Sequence, residues 1–426
     1  MHALRTLLVA GTAAFLITTT AFAQRPSNNP NDYRGADSER IAAAVAAAPF
    51  WGGVVRVPPR TPDEEGSRDF WLLDSAILLP SHTTLLLESC TLKLSDAARD
   101  NLIRSANCGA GIEKVAPIKN VCVVGSGDAK LVGADHPRAT GDSGKKLGER
   151  TYGTDAGKEG ESQTGDWRNI GILFANVDKF AIRNLTIVGA HAWSVSLEKC
   201  ANGIVENLRF DSTETREIDG RNVKVLNVDG LDLRKGCRNI FVKGISGRTG
   251  DDLVAVTAIV PKAKKGGVFG STEVCDYSEE ENLDVHNIEI RDVAGYAAGG
   301  HQIVRLLNGS GIKLYDVLVE NVVDESPAGV VDRATVRIGD ANPAWGGVTP
   351  LGDAYGFTIR NIESRSRQAI LLAGSLADSS IENVKDYNPE SQGVCYESGV
   401  DNVRNVRVEG VVHVDDAPVL SPKTRD

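Results

Sequence analysis

The sequence predicts an all-β protein built as a single-stranded parallel β-helix, a solenoid of stacked coils, with a short capping helix near its N-terminus. The first observation behind this is a repeat. From about residue 180, Asn is followed by an apolar, a polar and an apolar residue, and several copies are 22 or 23 residues apart. One solenoid coil takes roughly 20–30 residues. The second observation is the composition of 44 Gly, one Met and 5% aromatic residues, which suits a narrow aliphatic core with Gly at its corners.

Each copy of the repeat reads as a turn followed by a strand. Alternating apolar residues are typical of strands, and Asn suits the turn because it tolerates unusual backbone angles. A globular β-sandwich of unrelated strands is the alternative, but it does not require a constant period. The 22-residue spacing predicts that Ile359, Ile381 and Val403 stack in one inward column. The copies begin at Asn184, Asn207, Asn239, Asn287, Asn361, Asn383 and Asn405.

One segment before the repeats, Ser38 to Ala48, reads as a helix. A solenoid exposes core at its open end, so a terminal helix there is expected to act as a cap. Coils add one by one, and we therefore expect a single catalytic domain over residues 24–426, with the β-helix itself from about residue 50 to 415.

Residues 1–23 read as a secretory signal. Arg5 precedes an apolar stretch from Leu7 to Phe22, which ends in the small-x-small site Ala21-Phe22-Ala23. The stretch is too short and wrongly flanked for a membrane anchor, and no other segment is long enough to span a bilayer. The sequence therefore predicts an exported protein, secreted or periplasmic, without a membrane anchor.

Charge and cysteine content exclude some classes of function. The net charge is −10, whereas a nucleic-acid-binding protein is normally basic. A local basic cleft would still allow an acidic protein to bind an anionic polymer. The seven Cys include no CxxC pair, which argues against a structural zinc site, and most are expected to be small buried core residues. Two long polar stretches, 133–166 and 261–284, read either as walls of a substrate cleft or as insertions without a role.

Two acidic motifs, Asn227-Val228-Asp229 and Gly250-Asp251-Asp252, lie 22 residues apart. On adjacent coils they would stack about 4.8 Å apart, which brings three carboxylates together. Carboxylates this close cannot all ionise easily, so at least one pKa should rise. Because adjacent residues of a regular strand face opposite sides, Asp251 and Asp252 are expected at a bend, with Gly250 supplying the backbone freedom. The alternative is that they are turn carboxylates at solenoid corners.

The stretch from about residue 222 to 340 resembles glycoside hydrolase family 28, the polygalacturonases. That family carries Asn-Thr-Asp, Gly-Asp-Asp, Gly-His-Gly and Arg-Ile-Lys in this order. This chain has Asn227-Val228-Asp229, Gly250-Asp251-Asp252, Gly300-His301-Gln302 and Arg337-Ile338-Gly339. The resemblance implies a right-handed β-helix and an inverting hydrolase of a pectin-like, acidic or decorated polysaccharide, without a metal or other cofactor. It assigns Asp251 as the general acid, Asp229 and Asp252 as the groups that activate water, and His301 as a neighbour that tunes protonation or binds the sugar.

Substrate contacts follow from the same resemblance and from the neighbouring sequence. Gly339 stands where the family has a Lys that binds galacturonate, so we expect weak activity on plain homogalacturonan. Gly339→Lys would restore a cation if this turn accepts a side chain. Arg305 is expected to face outward and to supply the missing charge. His191 and Trp193 lie more than one coil before Asp229 on a count of residues, and Trp193 either stacks on a sugar or fills a gap under a loop. The full set of expected substrate contacts is Asn227, Asp232, Arg305, Arg337, His191 and Trp193.

Two other functions remain open from the sequence. One is a calcium-dependent polysaccharide lyase, in which Asp229, Asp251 and Asp252 would bind the ion and Arg305 or Lys243 would act as the base. The other is a non-catalytic carbohydrate-binding solenoid, such as an adhesin. No residue pattern indicates an oligomeric state.

Overall fold

The computed structural model describes residues 26–414, except 63–65, 99, 110–111, 113, 137–166, 219, 226, 260–273, 276, 279 and 310. Its strands form stacked parallel sheets, and the chain is a right-handed parallel β-helix, as the sequence predicts. The signal segment lies outside the described residues, as do most of the polar stretch 133–166 and more than half of the stretch 261–284. No helix among the described residues is long and apolar enough to cross a membrane.

The first sheet has 14 strands and runs the length of the solenoid. Its main path consists of β1 (Val54–Val57), β4 (Thr83–Glu88), β7 (Ile118–Ser126), β10 (Val177–Val188), β12 (Ala201–Asp211), β16 (Arg238–Thr249), β18 (Val285–Ala297), β20 (Leu314–Asp324), β22 (Ala354–Ser364), β24 (Leu376–Asp386) and β26 (Val403–His413). Three short strands join it at the N-terminal end: β2 (Trp71–Leu73), β5 (Thr91–Leu94) and β8 (Lys130–Val132).

The second sheet has ten strands, one from each coil. They are β3 (Ile77–Leu79), β6 (Ile103–Ser105), β9 (Ile172–Ala175), β11 (Val195–Glu198), β15 (Leu231–Arg234), β17 (Val254–Ala258), β19 (Gln302–Asn308), β21 (Ala334–Ile338), β23 (Gln368–Leu372) and β25 (Val394–Tyr396). An antiparallel hairpin of β13 (Thr215–Ile218) and β14 (Arg221–Lys224) interrupts the coil between β12 and β15.

A single α-helix among the described residues, α1 (Asp37–Ala47), covers the N-terminal end and confirms the expected cap. Its apolar face packs on the first strands, and Ile41 and Ala44 are fully buried. Asp37 is buried beneath the helix and binds Arg40, Arg60 and Arg68, which ties α1 to the loop that follows β1. The remaining helical segments are 3₁₀ turns at Pro30–Asp32, Ala48–Trp51, Trp167–Asn169, Pro343–Trp345 and Val400–Asn402.

The Asn residues of the repeat occupy the corners of the first sheet with positive φ, as expected, but they form two columns. Asn207 donates a side-chain hydrogen bond to Asn184 at 3.1 Å in the first column, and Asn287 donates one to Asn239 at 2.9 Å in the second. Asn405 belongs to the second column, where it donates to Asp378 at 2.8 Å. The 22-residue interval that ends at Asn405 therefore joins two different corners.

Only two of the three residues predicted to form one inward column stack on each other. Ile359 and Ile381 are register partners in β22 and β24, so that part of the prediction is confirmed. Ile381 then pairs with Val408, whereas Val403 pairs with Leu376, so the third member was wrong. A sequence interval equal to one coil identifies stacked residues only when both ends lie at the same corner.

The core is one continuous column of aliphatic side chains. Five of the seven cysteines are buried and all seven are free thiols, in line with the expected core role: Cys90, Cys108, Cys200, Cys237 and Cys275 are buried, and Cys122 and Cys395 are partly buried. In the second sheet the inward row of aliphatic residues comprises Val195, Leu231, Val254, Val304, Val336 and Ile370. Because strand side chains alternate, the next residue of each strand points outward, and this outward row is Ser196, Asp232, Ala255, Arg305, Arg337 and Leu371.

Candidate active site

The candidate active site lies on the outward face of the second sheet, at the turns that lead into β15, β17 and β19. Asp229 is in the first of these turns, Asp251 and Asp252 are in the second, and His301 is in the third. The turns stack as neighbouring coils do, and the amide of Gly230 donates to the carbonyl of Asp252 at 3.0 Å. The residues of three motifs that are far apart in the sequence therefore meet on three successive coils.

Two carboxylates converge on one backbone amide. The amide of Asp252 donates to Asp229 Oδ1 at 3.0 Å and to Asp251 Oδ1 at 3.0 Å. Because both oxygens lie at that distance from one nitrogen, they are at most about 6 Å apart, slightly less than the separation of roughly 6.5–9.5 Å between the carboxyl groups of inverting glycosidases. The spacing therefore does not by itself indicate inversion.

The expected bend at residues 250–253 is present, but the reason for a glycine at position 250 differs from the predicted one. The amides of Gly250 and Asp251 both donate to the carbonyl of Val228, at 3.0 and 3.1 Å, which ends β16 and reorients the chain. Gly250 does not have a positive φ. A Cβ at this position would lie 2.4 Å from the amide nitrogen of Glu214. A glycine is required here because another chain segment approaches closely, and not because of backbone freedom.

His301 lies beside the acid pair and next to an acid that the sequence analysis missed. His301 Nδ1 is 3.0 Å from Asp251 Oδ1. A Cβ on Gly299 would lie 3.1 Å from His301 Cδ2 and 3.2 Å from Glu214 Cδ, so these two side chains meet over the glycine. The hydrogen bond that His301 donates to Asp251 raises the pKa of His301 above its ordinary value against the effect of burial, and Asp252 and Glu214 add to the rise. Glu214 precedes the β13–β14 hairpin and carries no sequence motif, so only the fold reveals it.

Two arginines lie on the outward row above the acids. Arg305 faces outward as predicted, with its Nη1 3.4 Å from Asp252 Oδ2 and its Nη2 2.9 Å from Asp340 Oδ2. Arg337 is its register partner in β21 and also approaches Asp340 Oδ2, at 3.0 Å. The Trp345 ring lies over the Arg305 guanidinium, 5.6 Å from centroid to Cζ. Arg305 thus lies where a substrate contact was expected, but the carboxylates of the chain itself engage it.

Burial makes the acid cluster difficult to ionise. Asp229, Asp232 and Asp252 are 5%, 1% and 2% exposed. Burial raises the pKa of Asp229 and of Asp232 well above the ordinary carboxyl value and raises that of Asp252 to about 6. The charge of Asp251 adds to each rise, and Arg305 opposes it. The cluster is therefore only partly ionised near neutral pH, which suits groups that give and take protons.

The other predicted contacts lie at different distances from this cluster. Asn227 is half-buried, two residues before Asp229. Trp193 lies one coil before Asp229. This is shown by the residue that follows it, Ser194, whose amide donates to the Asp229 carbonyl at 2.9 Å. The count of residues was wrong here because the β13–β14 hairpin lengthens that coil. Trp193 is packed against the guanidinium of Arg234 at 4.6 Å.

His191 has a buried position. It is 4% exposed, and its Nε2 accepts a hydrogen bond from the amide of Ala134 at 2.8 Å. It therefore joins two coils beneath the surface.

Gly339→Lys is expected to destabilise the protein rather than to add a substrate cation. Gly339 has φ of 70°, and a Cβ there would lie 2.5 Å from Gly374 Cα, so the backbone would have to move. We expect a loss of at least about 2 kcal/mol in the free energy of unfolding, measured by urea denaturation. Gly311→Lys is the matched control, because Gly311 has φ of 78° with no atom within 4 Å of its Cβ. Equal losses in the two variants would contradict this explanation.

Among the described residues, Asp251, Asp252 and His301 could hold a metal ion, since their ligand atoms lie within 4.8 Å of one another. The donors are two carboxylate oxygens and one ring nitrogen. Calcium prefers six to eight oxygen ligands, and Arg305 already binds Asp252. The donor set therefore does not fit calcium.

No protein-family model matches the chain, and no curated protein matches it in sequence. Among solved structures, the chain is similar to a hyperthermoactive exopolygalacturonase from Thermotoga maritima, with 15% identity, a TM-score of 0.52 and coverage of 90% of this chain and 91% of that one. It is also similar to the endo-xylogalacturonan hydrolase from Aspergillus tubingensis, with 12% identity, a TM-score of 0.53 and coverage of 90% and 92%. PfbA, a surface adhesin of Streptococcus pneumoniae, matches with 13% identity, a TM-score of 0.43 and coverage of 91% and 92%. At these identities the first two likenesses show the parallel β-helix fold alone.

Proposed function

We propose that the protein is an exported glycoside hydrolase that cleaves a polysaccharide with Asp251 as general acid and with Asp229 and Asp252 activating water. The observation that carries this proposal is the convergence of Asp229 and Asp251 on the amide of Asp252, with His301 in contact. Hydrolysis of a glycosidic bond needs one carboxylic acid to protonate the leaving oxygen and a carboxylate to act on water or on the sugar. The two fold relatives that act on pectic polymers by their names agree with this reaction class.

The proposed division of roles follows accessibility. The Asp251 side chain is 18% exposed and touches His301, so it can reach a glycosidic oxygen. Asp252 is buried, and its Oδ1 accepts a hydrogen bond from the amide of Gln302 at 3.0 Å. That bond and the Arg305 guanidinium favour the ionised form that a base needs. Asp229 lies on the neighbouring coil and would hold the same water.

Neither Lys243 nor Arg305 is placed to act as the base of a lyase. Lys243 lies in β16 of the first sheet, where its Nζ is 3.7 Å from Asp292, so it is on a different sheet from the acids. Arg305 is bound by Asp252 and Asp340. Because calcium is also poorly matched by the donor set, hydrolysis is the function that the geometry supports best.

Turnover is expected to fall as the pH drops through about 6. Burial raises the pKa of Asp252 to about 6, and below that pH the proposed base is protonated and cannot activate water. The check is kcat/KM on a validated glycan between pH 4.5 and 8. Arg305→Gln should move this limb to higher pH, because Arg305 opposes the rise of the pKa. A kcat/KM that does not change between pH 5 and 7 in the wild type would contradict the assignment of Asp252 as base.

The direct test of the function is a reducing-end assay of the purified protein on a panel of pectic, neutral and sulfated polysaccharides. The proposal predicts new reducing ends on at least one polymer, without an unsaturated product that absorbs in the ultraviolet and without loss of activity in a chelator. An unsaturated product would indicate a lyase. Binding without new reducing ends would indicate a carbohydrate-binding solenoid.

A further inference from the structure

The cations nearest the acid cluster are held by a carboxylate of the chain itself. Arg305 Nη2 and Arg337 Nη2 both approach one atom, Asp340 Oδ2, at 2.9 and 3.0 Å. The Asp340 side chain is only 5% exposed, and its Oδ1 accepts a hydrogen bond from the amide of Asn342 at 2.9 Å. The carboxylate is therefore fixed between two guanidinium groups, as a bound anion would be.

The remaining charges around these arginines are also matched within the chain. Arg305 Nη1 is 3.4 Å from Asp252. Arg337 is 3.8 Å from Glu397, which also binds the neighbouring Arg333 at 2.7 Å. Each of these three arginines, within the described part of the chain, thus faces at least one carboxylate.

Around Arg305 and Arg337, carboxyl groups outnumber guanidinium groups. Six carboxyl groups lie close to the two guanidinium groups of Arg305 and Arg337. A sugar carboxylate that entered here would lose its hydration and would find both guanidinium groups already paired with Asp340, which is unfavourable. A neutral sugar ring meets no such barrier, and the half-buried Trp345 ring over Arg305 offers it an apolar face. The six carboxyl groups belong to Asp229, Asp232, Asp251, Asp252, Asp340 and Glu397.

We propose that Asp340 determines specificity by taking the place of a substrate carboxylate, so that the sugar unit beside Arg305 and Arg337 carries no free carboxylate. The unit is therefore a neutral or esterified sugar, and a uronate is rejected there. This inference rests on the proposed glycan-cleaving function, and it narrows the substrate class of the same site.

The test is calorimetric binding of two matched probes, trigalacturonate and the neutral trisaccharide obtained by reducing its carboxyl groups. Asp340→Asn leaves both guanidinium groups without their shared anion, and we expect it to bind trigalacturonate at least about tenfold more tightly than the wild type. Binding of the neutral probe should change far less, and Asp340→Glu should restore the wild-type preference. Asp401→Asn, at an exposed site in the last coil, is the control for a change of net charge.

Tighter binding of trigalacturonate than of the neutral probe by the wild type would overturn the proposal. An unchanged ratio of the two affinities in Asp340→Asn would also overturn it. If the wild type binds neither probe, failure of Asp340→Asn to bind trigalacturonate would overturn it as well. A purely structural role of Asp340 would weaken both affinities together. If Asp340→Asn does not fold, the proposal is tested by which of the two probes the wild type binds more tightly. Because no turnover is measured, failure of the proposed hydrolase function would appear separately, in the reducing-end assay.

Discussion

Asp251→Asn is expected to lower turnover by about 10²–10⁴-fold, the usual contribution of a positioned acid. The amide is nearly isosteric with the carboxyl group and can still accept the hydrogen bond from the amide of Asp252, so the turn should keep its shape. It cannot transfer a proton to the leaving oxygen. The measurement is kcat on a substrate identified in the glycan panel, with the melting temperature as a check of the fold.

Variants of the two neighbouring acids extend this test. Asp229→Asn and Asp252→Asn should also be severe, because the proposed water loses one of the two groups that hold it. Burial raises the pKa of both carboxyl groups, so the folded state disfavours their charge and the neutral amides should not reduce stability at neutral pH. Asp401→Asn serves again as the control. If all three site variants hydrolyse the substrate like the wild type, the catalytic assignment is wrong.

Asp37→Ala is expected to cost about 3–5 kcal/mol in the free energy of unfolding, the usual effect of removing one partner of a buried ion pair. Asp37 and Arg60 are both fully buried, 2.9 Å apart, and Arg40 lies 3.4 Å from the same carboxylate. Without Asp37 these guanidinium groups stay buried and lose the carboxylate that they share. The helix α1 would also lose its bond to the amide of Leu72, which is 2.8 Å long.

Urea denaturation followed by circular dichroism measures this loss. Asp69→Asn, at an exposed position in the same region, should change the free energy of unfolding by no more than about 0.5 kcal/mol. Because α1 covers the open end of the core, the Asp37 variant should also aggregate more readily than the control. A cost below that of the control variant would show that the cap does not depend on this ion cluster.

The sequence was sufficient for the features that repeat from coil to coil. Alternating apolar residues predicted the strands, and Asn at the turns predicted the corners with positive φ. The acidic motifs predicted which carboxyl groups would meet, since a parallel stack places equivalent residues of neighbouring coils side by side. The Ala-rich segment predicted the cap because a helix period is a local property of the chain.

Other features depended on contacts between distant segments. The two columns of corners, and hence the partner of Val403, follow from strand register, which an interval along the chain does not specify. Glu214 reaches His301 only because the β13–β14 hairpin leaves the coil beside Gly299, and Gly250 is needed because Glu214 approaches it.

The sequence by itself determined the fold class and the acid cluster, because both follow from periodic patterns and short motifs. Only the tertiary structure decided which groups bind Arg305 and Arg337. Arg305 reads as a free charge in the sequence, but the fold brings Asp340 from the next coil within 2.9 Å of it. The physical reason is that the effect of a charge depends on its distance from every other charge in the folded molecule, and this distance is set by the packing of the coils.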